Sequence, residues 1–174
     1  CFKQEQARLE KAKISKRNKE LIYEFQSHLF AKGSKELRVS KVTSHLRRIC
    51  GVLKVDFDKA HERDIQLVVG HFNRNIDYAE ATKADYRRSI KQFYFWYKDY
   101  DERFFSENRM EQVMIQRFYK YLETLKSTCK IKDIDYSNIL TEEDVDKVID
   151  RGCFRVIDKA FLATLHETGC RAGE

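Results

Sequence analysis

The chain contains no proline in 174 residues and only six glycines. Proline breaks helices by removing a backbone donor, and an all-β fold needs proline and glycine at its many turns. Their scarcity, with abundant Lys, Glu, Leu and Ile, predicts long helices and an all-α fold. A hydrophobic fraction of 42%, with 13% aromatic residues, is enough to bury a core in one domain or two small ones, which excludes a disordered chain.

Apolar residues recur at helical spacing. Residues 2 to 13 carry only a poor stripe, Phe2 and Leu9 with Ile14 beyond, and are expected to form an exposed lead-in helix or arm. Ser15 is the expected N-cap of a helix to about Lys32, with Leu21, Ile22, Phe25 and Leu29 inward and Gly33 as its stop. A second helix from about Leu37 to Leu53 turns Val39, Val42, Leu46, Ile49 and Leu53 inward. Ile65, Val68, Val69 and Phe72 mark a third. A fourth, starting near Thr82, carries Tyr86, Ile90, Phe93 and Tyr97. Ser106 is the expected cap of a fifth helix to about Ser127, striped by Met110, Met114, Phe118, Tyr121 and Leu125, and residues 128 to 138 read as a connection.

Charge is unevenly placed. Residues 1–98 hold 22 Lys and Arg against 12 Asp and Glu, whereas residues 99–174 hold 12 against 16. The first part therefore suits a polyanion. Its cations gather on two faces: Lys41, Ser44, His45, Arg47 and Arg48 on the second helix, and Lys83, Arg87 and Lys91 with neighbouring Arg88 on the fourth. Duplex DNA is the expected partner, held through phosphates with counterion release. The same residues would also suit the solvated face of a helical bundle. The aromatic run Phe93-Tyr94-Phe95-Trp96-Tyr97 reads as core, since on a helix it points all round.

Five cysteines, Cys1, Cys50, Cys129, Cys153 and Cys170, form no Cys-x-x-Cys pair, so reduced thiols are expected and no disulfide framework. The histidines show no ligand spacing with them; neither metal nor cofactor is predicted. No apolar run approaches the roughly 18 residues needed to cross a bilayer, and no signal-peptide pattern is present. The expected setting is intracellular, in cytoplasm or nucleoid.

The last stretch carries the sharpest chemistry. An amphipathic helix reaching Leu165 meets Gly169, suited to a left-handed cap, and Arg171 then opens the next segment beside a helix N-terminus. Its planar guanidinium can hold two phosphate oxygens, and Glu174, three residues on, is placed to support it. Earlier, Leu140-Thr141-Glu142-Glu143 opens a helix, with Asp144 as capping partner of Thr141.

Leu140, Thr141, Glu142 and Glu143, followed about thirty residues later by Glu167, Thr168, Gly169, Arg171 and Glu174, resemble the opening of the catalytic domain in the tyrosine recombinase (phage integrase) family. The four preceding helices are similar to that family's helical core-binding (SAM-like) domain, whose second and fourth helices commonly face DNA. The resemblance implies four regions: a lead-in at 1–14, a core-binding domain at 15–105, an extra helix and linker at 106–138, and the start of a truncated catalytic domain at 139–174. It implies that Arg171 is the first catalytic arginine, binding the scissile phosphate, and that the full-length protein recombines DNA through a covalent 3′-phosphotyrosine, as a tetramer on two duplexes. The nucleophilic tyrosine would then lie beyond Glu174, leaving this stretch inactive alone, and Cys1 in place of Met implies a missing start. The extra helix departs from the family pattern. A non-catalytic helical DNA-binding or regulatory module is the competing reading, with a structural interaction protein further off; a type IB topoisomerase would share the chemistry.

Overall fold

The signals at Ser15 and Gly33 act where the sequence puts them, whereas the fifth predicted helix starts at Arg109 under an Asn108 cap and not at Ser106. In a computed structural model describing residues 2–128 and 141–169, the Ser15 hydroxyl accepts the Asn18 amide at 3.1 Å and starts α2 (Lys16–Ala31). Gly33, at φ 76°, closes that helix: the Ser34 amide reaches the Leu29 carbonyl at 3.0 Å and the Gly33 amide reaches Phe30 at 2.8 Å. These two bonds use carbonyls a helix end would otherwise leave without partners. The other helices are α1 (Phe2–Lys11), α3 (Glu36–Val52), α4 (Glu62–Arg74), α5 (Glu80–Tyr97), α6 (Arg109–Thr124), α7 (Glu142–Lys147) and α8 (Val156–Thr168). There is no strand among the described residues, and the protein is all-α. The fourth predicted helix begins a little earlier than expected, at Glu80 and not near Thr82.

The chain divides into two units, residues 1–130 and 131–174. In the first, the predicted inward faces of α2, α3, α4 and α5 are all buried. Their centre is aromatic. Phe93 packs edge-on to Phe25 at 5.4 Å and tilted on Phe57 at 4.5 Å, while the buried Tyr94 hydroxyl donates to the Phe57 carbonyl at 3.2 Å. The Phe57 amide in turn donates to the buried Asn18 side chain at 2.8 Å, so the turn between α3 and α4 is pinned from both sides. From the aromatic run, Phe93, Tyr94 and Tyr97 are buried, while Phe95 and Trp96 reach the surface.

Two expectations are corrected here. The lead-in helix α1 is packed and not exposed: Leu9 is fully buried and Phe2 meets Phe30 edge-on at 5.4 Å. Its stripe looked poor because Glu5 fills an inward position, where Arg47 of α3 satisfies its carboxylate at 2.7 Å. On α6 the buried stripe is Ile115, Phe118, Tyr119, Leu122 and Leu125, and Met110 and Met114 are 70% and 48% exposed. Phe118 meets Tyr94 edge-on at 4.9 Å, and the Tyr119 hydroxyl donates to the buried Asp101 carboxylate at 3.1 Å. Asp101 also takes two bonds from Arg103 at 2.8 Å each, making α6 part of the first unit's core.

In the second unit, Thr141 caps α7 as expected: its hydroxyl accepts the Asp144 amide at 3.3 Å and its own amide donates back to the Asp144 carboxylate at 3.2 Å. After one π-helical turn, Val148–Gly152, α8 ends on Gly169 at φ 63°, the left-handed cap the sequence predicts. No residue of α7 or α8 is buried. The expected helix-start residue Leu140, and Arg171 and Glu174, lie outside the described residues.

Candidate nucleic-acid interface

On α3, positions 41, 45 and 48 follow one another at four and three residues and so share a face. That face lies along α5. Lys41 Nζ donates to Asp85 Oδ2 at 2.6 Å, His45 Nδ1 lies 2.8 Å from Ser89 Oγ, and Arg48 Nη1 donates to the Tyr86 hydroxyl at 3.1 Å. From α5 itself, Arg88 Nη1 donates to the other Asp85 oxygen, Oδ1, at 2.6 Å. Lys41, His45, Arg48 and Arg88 are thus brought together along one seam. A groove of about 290 Å³ opens there, lined also by Arg38 and Gln92.

The Ser89 hydroxyl has one proton, and it donates to the Asp85 backbone carbonyl at 2.9 Å. His45 must then donate from Nδ1 to Ser89 Oγ, which leaves Nε2 as an acceptor. Burial pulls the His45 ring down to about 4 from an ordinary 6.5; Lys41 and Arg48 push the same way, and Asp85 opposes them. The ring is neutral at physiological pH. Asp85 keeps its charge: burial pushes its carboxyl up, but the Lys41 hydrogen bond and the charges of Lys41 and Arg88, joined by His45 once acid protonates its ring, outweigh that and hold it below its ordinary value.

Of the remaining predicted residues, Ser44 stays beside the seam, in a groove it lines with Lys41, His45, Arg48 and Glu5, and the others separate from it. Arg47 turns to α1 and is spent on Glu5. Lys83 pairs with Glu80 at 2.9 Å. Arg87 and Lys91 hold the far end of α6: Arg87 donates to the Lys126 carbonyl at 2.5 Å, Lys91 to those of Glu123 and Leu125 at 3.1 and 3.2 Å. Arg88 reaches the Ser127 carbonyl at 3.0 Å with its other nitrogen.

The difference between these partners decides where a positive field remains. A carboxylate cancels a cation's charge, whereas a carbonyl accepts a hydrogen bond and leaves the charge in place. Arg38, Lys41, Arg48, Arg87, Arg88 and Lys91 have one ion-pair partner between them among the described residues, Asp85. The sequence reading missed Arg38, although it stands three residues before Lys41 on the same helix; it is exposed and makes no ion pair or side-chain hydrogen bond among the described residues.

Among the described residues no group of three or more His, Cys, Asp or Glu side chains is arranged to hold a metal ion. Cys50 is a buried free thiol pushed up to about 12 by burial, which makes it unreactive. No described helix is long and apolar enough to cross a membrane. No protein-family profile, curated protein or solved structure matches the chain.

Proposed function

We propose that the first unit binds duplex DNA along the α3–α5 seam, and that the chain is the DNA-binding portion of a tyrosine-type site-specific recombinase. The observation that carries the DNA reading is the set of four seam cations, Arg38, Lys41, Arg48 and Arg88, answered among the described residues by a single carboxylate, a surplus of charge fixed on two adjacent helices. In this reading α2 to α5 serve as the core-binding domain, and contact is chiefly to phosphates. DNA as partner implies an intracellular site of action, and the full-length protein works as a tetramer on two DNA sites.

The recombinase reading is supported by the capping box at Thr141 and by the left-handed Gly169 that ends α8 two residues before Arg171. In the reaction a tyrosine oxygen attacks phosphorus, the 5′ oxygen leaves, and charge builds on the non-bridging oxygens. Arg171 would hold those oxygens as a bidentate donor, with Glu174 supporting it, and no high-energy cofactor is needed because bond energy is kept in the phosphotyrosine.

Titration of the chain against duplex DNA at several salt concentrations tests the first part. Affinity should fall steeply with salt, and Arg38→Glu and Arg48→Gln should each flatten the log–log slope by about 0.9 for every phosphate contact removed. Binding that ignores salt would overturn it. In the full-length protein, Arg171→Lys should bind DNA as before and cleave about 100- to 1000-fold more slowly. A full-length protein that binds but exchanges no strands, with or without Arg171, is instead the non-catalytic module.

A further inference from the structure

One acidic side chain interrupts the seam, and its geometry is that of a ligand. The two oxygens of Asp85 are divided between two cations on different helices, Oδ2 accepting from Lys41 on α3 and Oδ1 from Arg88 on α5, both at 2.6 Å. A phosphodiester also presents two non-bridging oxygens sharing one negative charge, and it would meet this pair of cations in the same way. Arg88 does not depend on Asp85 for its position, because its second nitrogen is anchored on the Ser127 carbonyl. Lys41 remains more than half exposed, within reach of a ligand arriving from solvent. Ion pairs whose cations are more than half exposed, as Lys41 and Arg88 are, contribute little to stability, so bridging α3 to α5 does not account for the carboxylate's placement among cations. The helices are already joined by the buried Val39, Leu46, Ile90 and Phe93 of the common core.

We propose that Asp85 fills a phosphodiester subsite between Lys41 and Arg88, so that the first unit carries an internal mask over one phosphate position of its own DNA face. The inference rests on duplex DNA being the seam's ligand. The masked position sits in the groove bordered by Arg38, His45 and Gln92. His45 adds no charge there, and Arg38 supplies the unmasked cation nearest in sequence to Lys41. DNA bound to the natural protein therefore gains from Arg38 and Arg48 and little from Lys41 or Arg88. Loss of the Asp85 charge adds one phosphate contact.

Asp85→Asn keeps the shape of the side chain and removes its charge. In salt titrations of the whole chain with a duplex, this variant should bind roughly tenfold more tightly at low salt, with a log–log slope steeper by about 0.9. Lys41→Ala should then cost more affinity in the Asp85→Asn background than in the natural sequence, a coupling a double-mutant cycle measures directly. A comparison independent of that variant uses the natural background alone: Lys41→Ala should weaken binding less than Arg38→Ala does. An Asp85→Asn protein that melts normally yet binds no more tightly, or a natural protein in which Lys41→Ala costs more than Arg38→Ala, overturns the mask while leaving DNA binding intact. If neither the natural chain nor the variant binds duplex DNA, the functional reading itself fails.

Discussion

His45 shows how a single side chain in the seam sets a pH dependence. In the folded protein its ring protonates only near 4, while in the unfolded chain it does so at its ordinary 6.5. Between those values the unfolded state binds the extra proton. Stability is therefore fully present above pH 6.5 and is lost as pH falls from there to about 4. The loss should be roughly 1–2 kcal/mol, less than the full shift would give because the ring is partly exposed and screened. Thermal melts from pH 7 to 4.5 should show the fall, and His45→Gln should reduce it; an identical fall in the variant would discount the ring. The position of His45 on a basic helical face was legible from spacing alone, but its burial was not. Ser89 and Asp85, which decide its tautomer and oppose its downward shift, lie forty or more residues away in sequence. The same distance hides Glu5 from Arg47 and Asp85 from Lys41. Periodicity shows which residues share a face and says nothing of which opposite charge meets them.

At the scale of elements, the ridge on α5 has a structural duty. The last carbonyls of α6 have no partner within their own helix, and its C-terminus carries partial negative charge. Arg87 and Lys91 supply both hydrogen bonds and positive charge to the carbonyls at 123, 125 and 126. Replacing both by alanine should cost about 1–2 kcal/mol and speed amide exchange over residues 122–127 at least tenfold, with Lys91→Arg largely preserving protection. Unchanged exchange there would mean that the contacts contribute nothing. Charge reversal at Arg87 and Lys91 would therefore damage α6 as well as any DNA contact, which makes Arg38 and Arg48 the cleaner probes. The helices α2 to α5 were legible because their apolar stripes are complete. Those of α1 and α6 were misread for different reasons. A paired Glu5 interrupts the first, and on α6 the methionines offered a second apolar stripe sharing Phe118 and Leu125 with the buried one. An apolar residue at helical spacing can face either way when a helix is apolar on two sides.

For the molecule as a whole, the boundary between the two units falls at residues 130 and 131, inside the stretch read as a connection. The sequence set α6 apart from the four preceding helices as an extra helix, whereas Tyr94, Asp101 and Arg103 draw it into the first unit through contacts that helical periodicity does not encode. The units differ in what holds them. In the first, helices bury a continuous core from Leu9 to Leu125. In the second, α8 is thirteen residues long and apolar, yet its Val156, Ile157 and Phe161 are 83%, 74% and 52% exposed. A helix of that length without tertiary burial is marginal in water, since packing and not propensity supplies the larger part of helical stability. Native-state hydrogen exchange should therefore separate the units. Amides in the middle of α2, α3 and α5 should exchange only through global unfolding of the first unit, and those of α8 should exchange at least a hundredfold faster. Rising urea should not merge the opening of α8 with that of α5. If instead both sets converge on one free energy as denaturant rises, the two units unfold together, and burial of α8 must come from an arrangement in solution that covers Val156, Ile157 and Phe161.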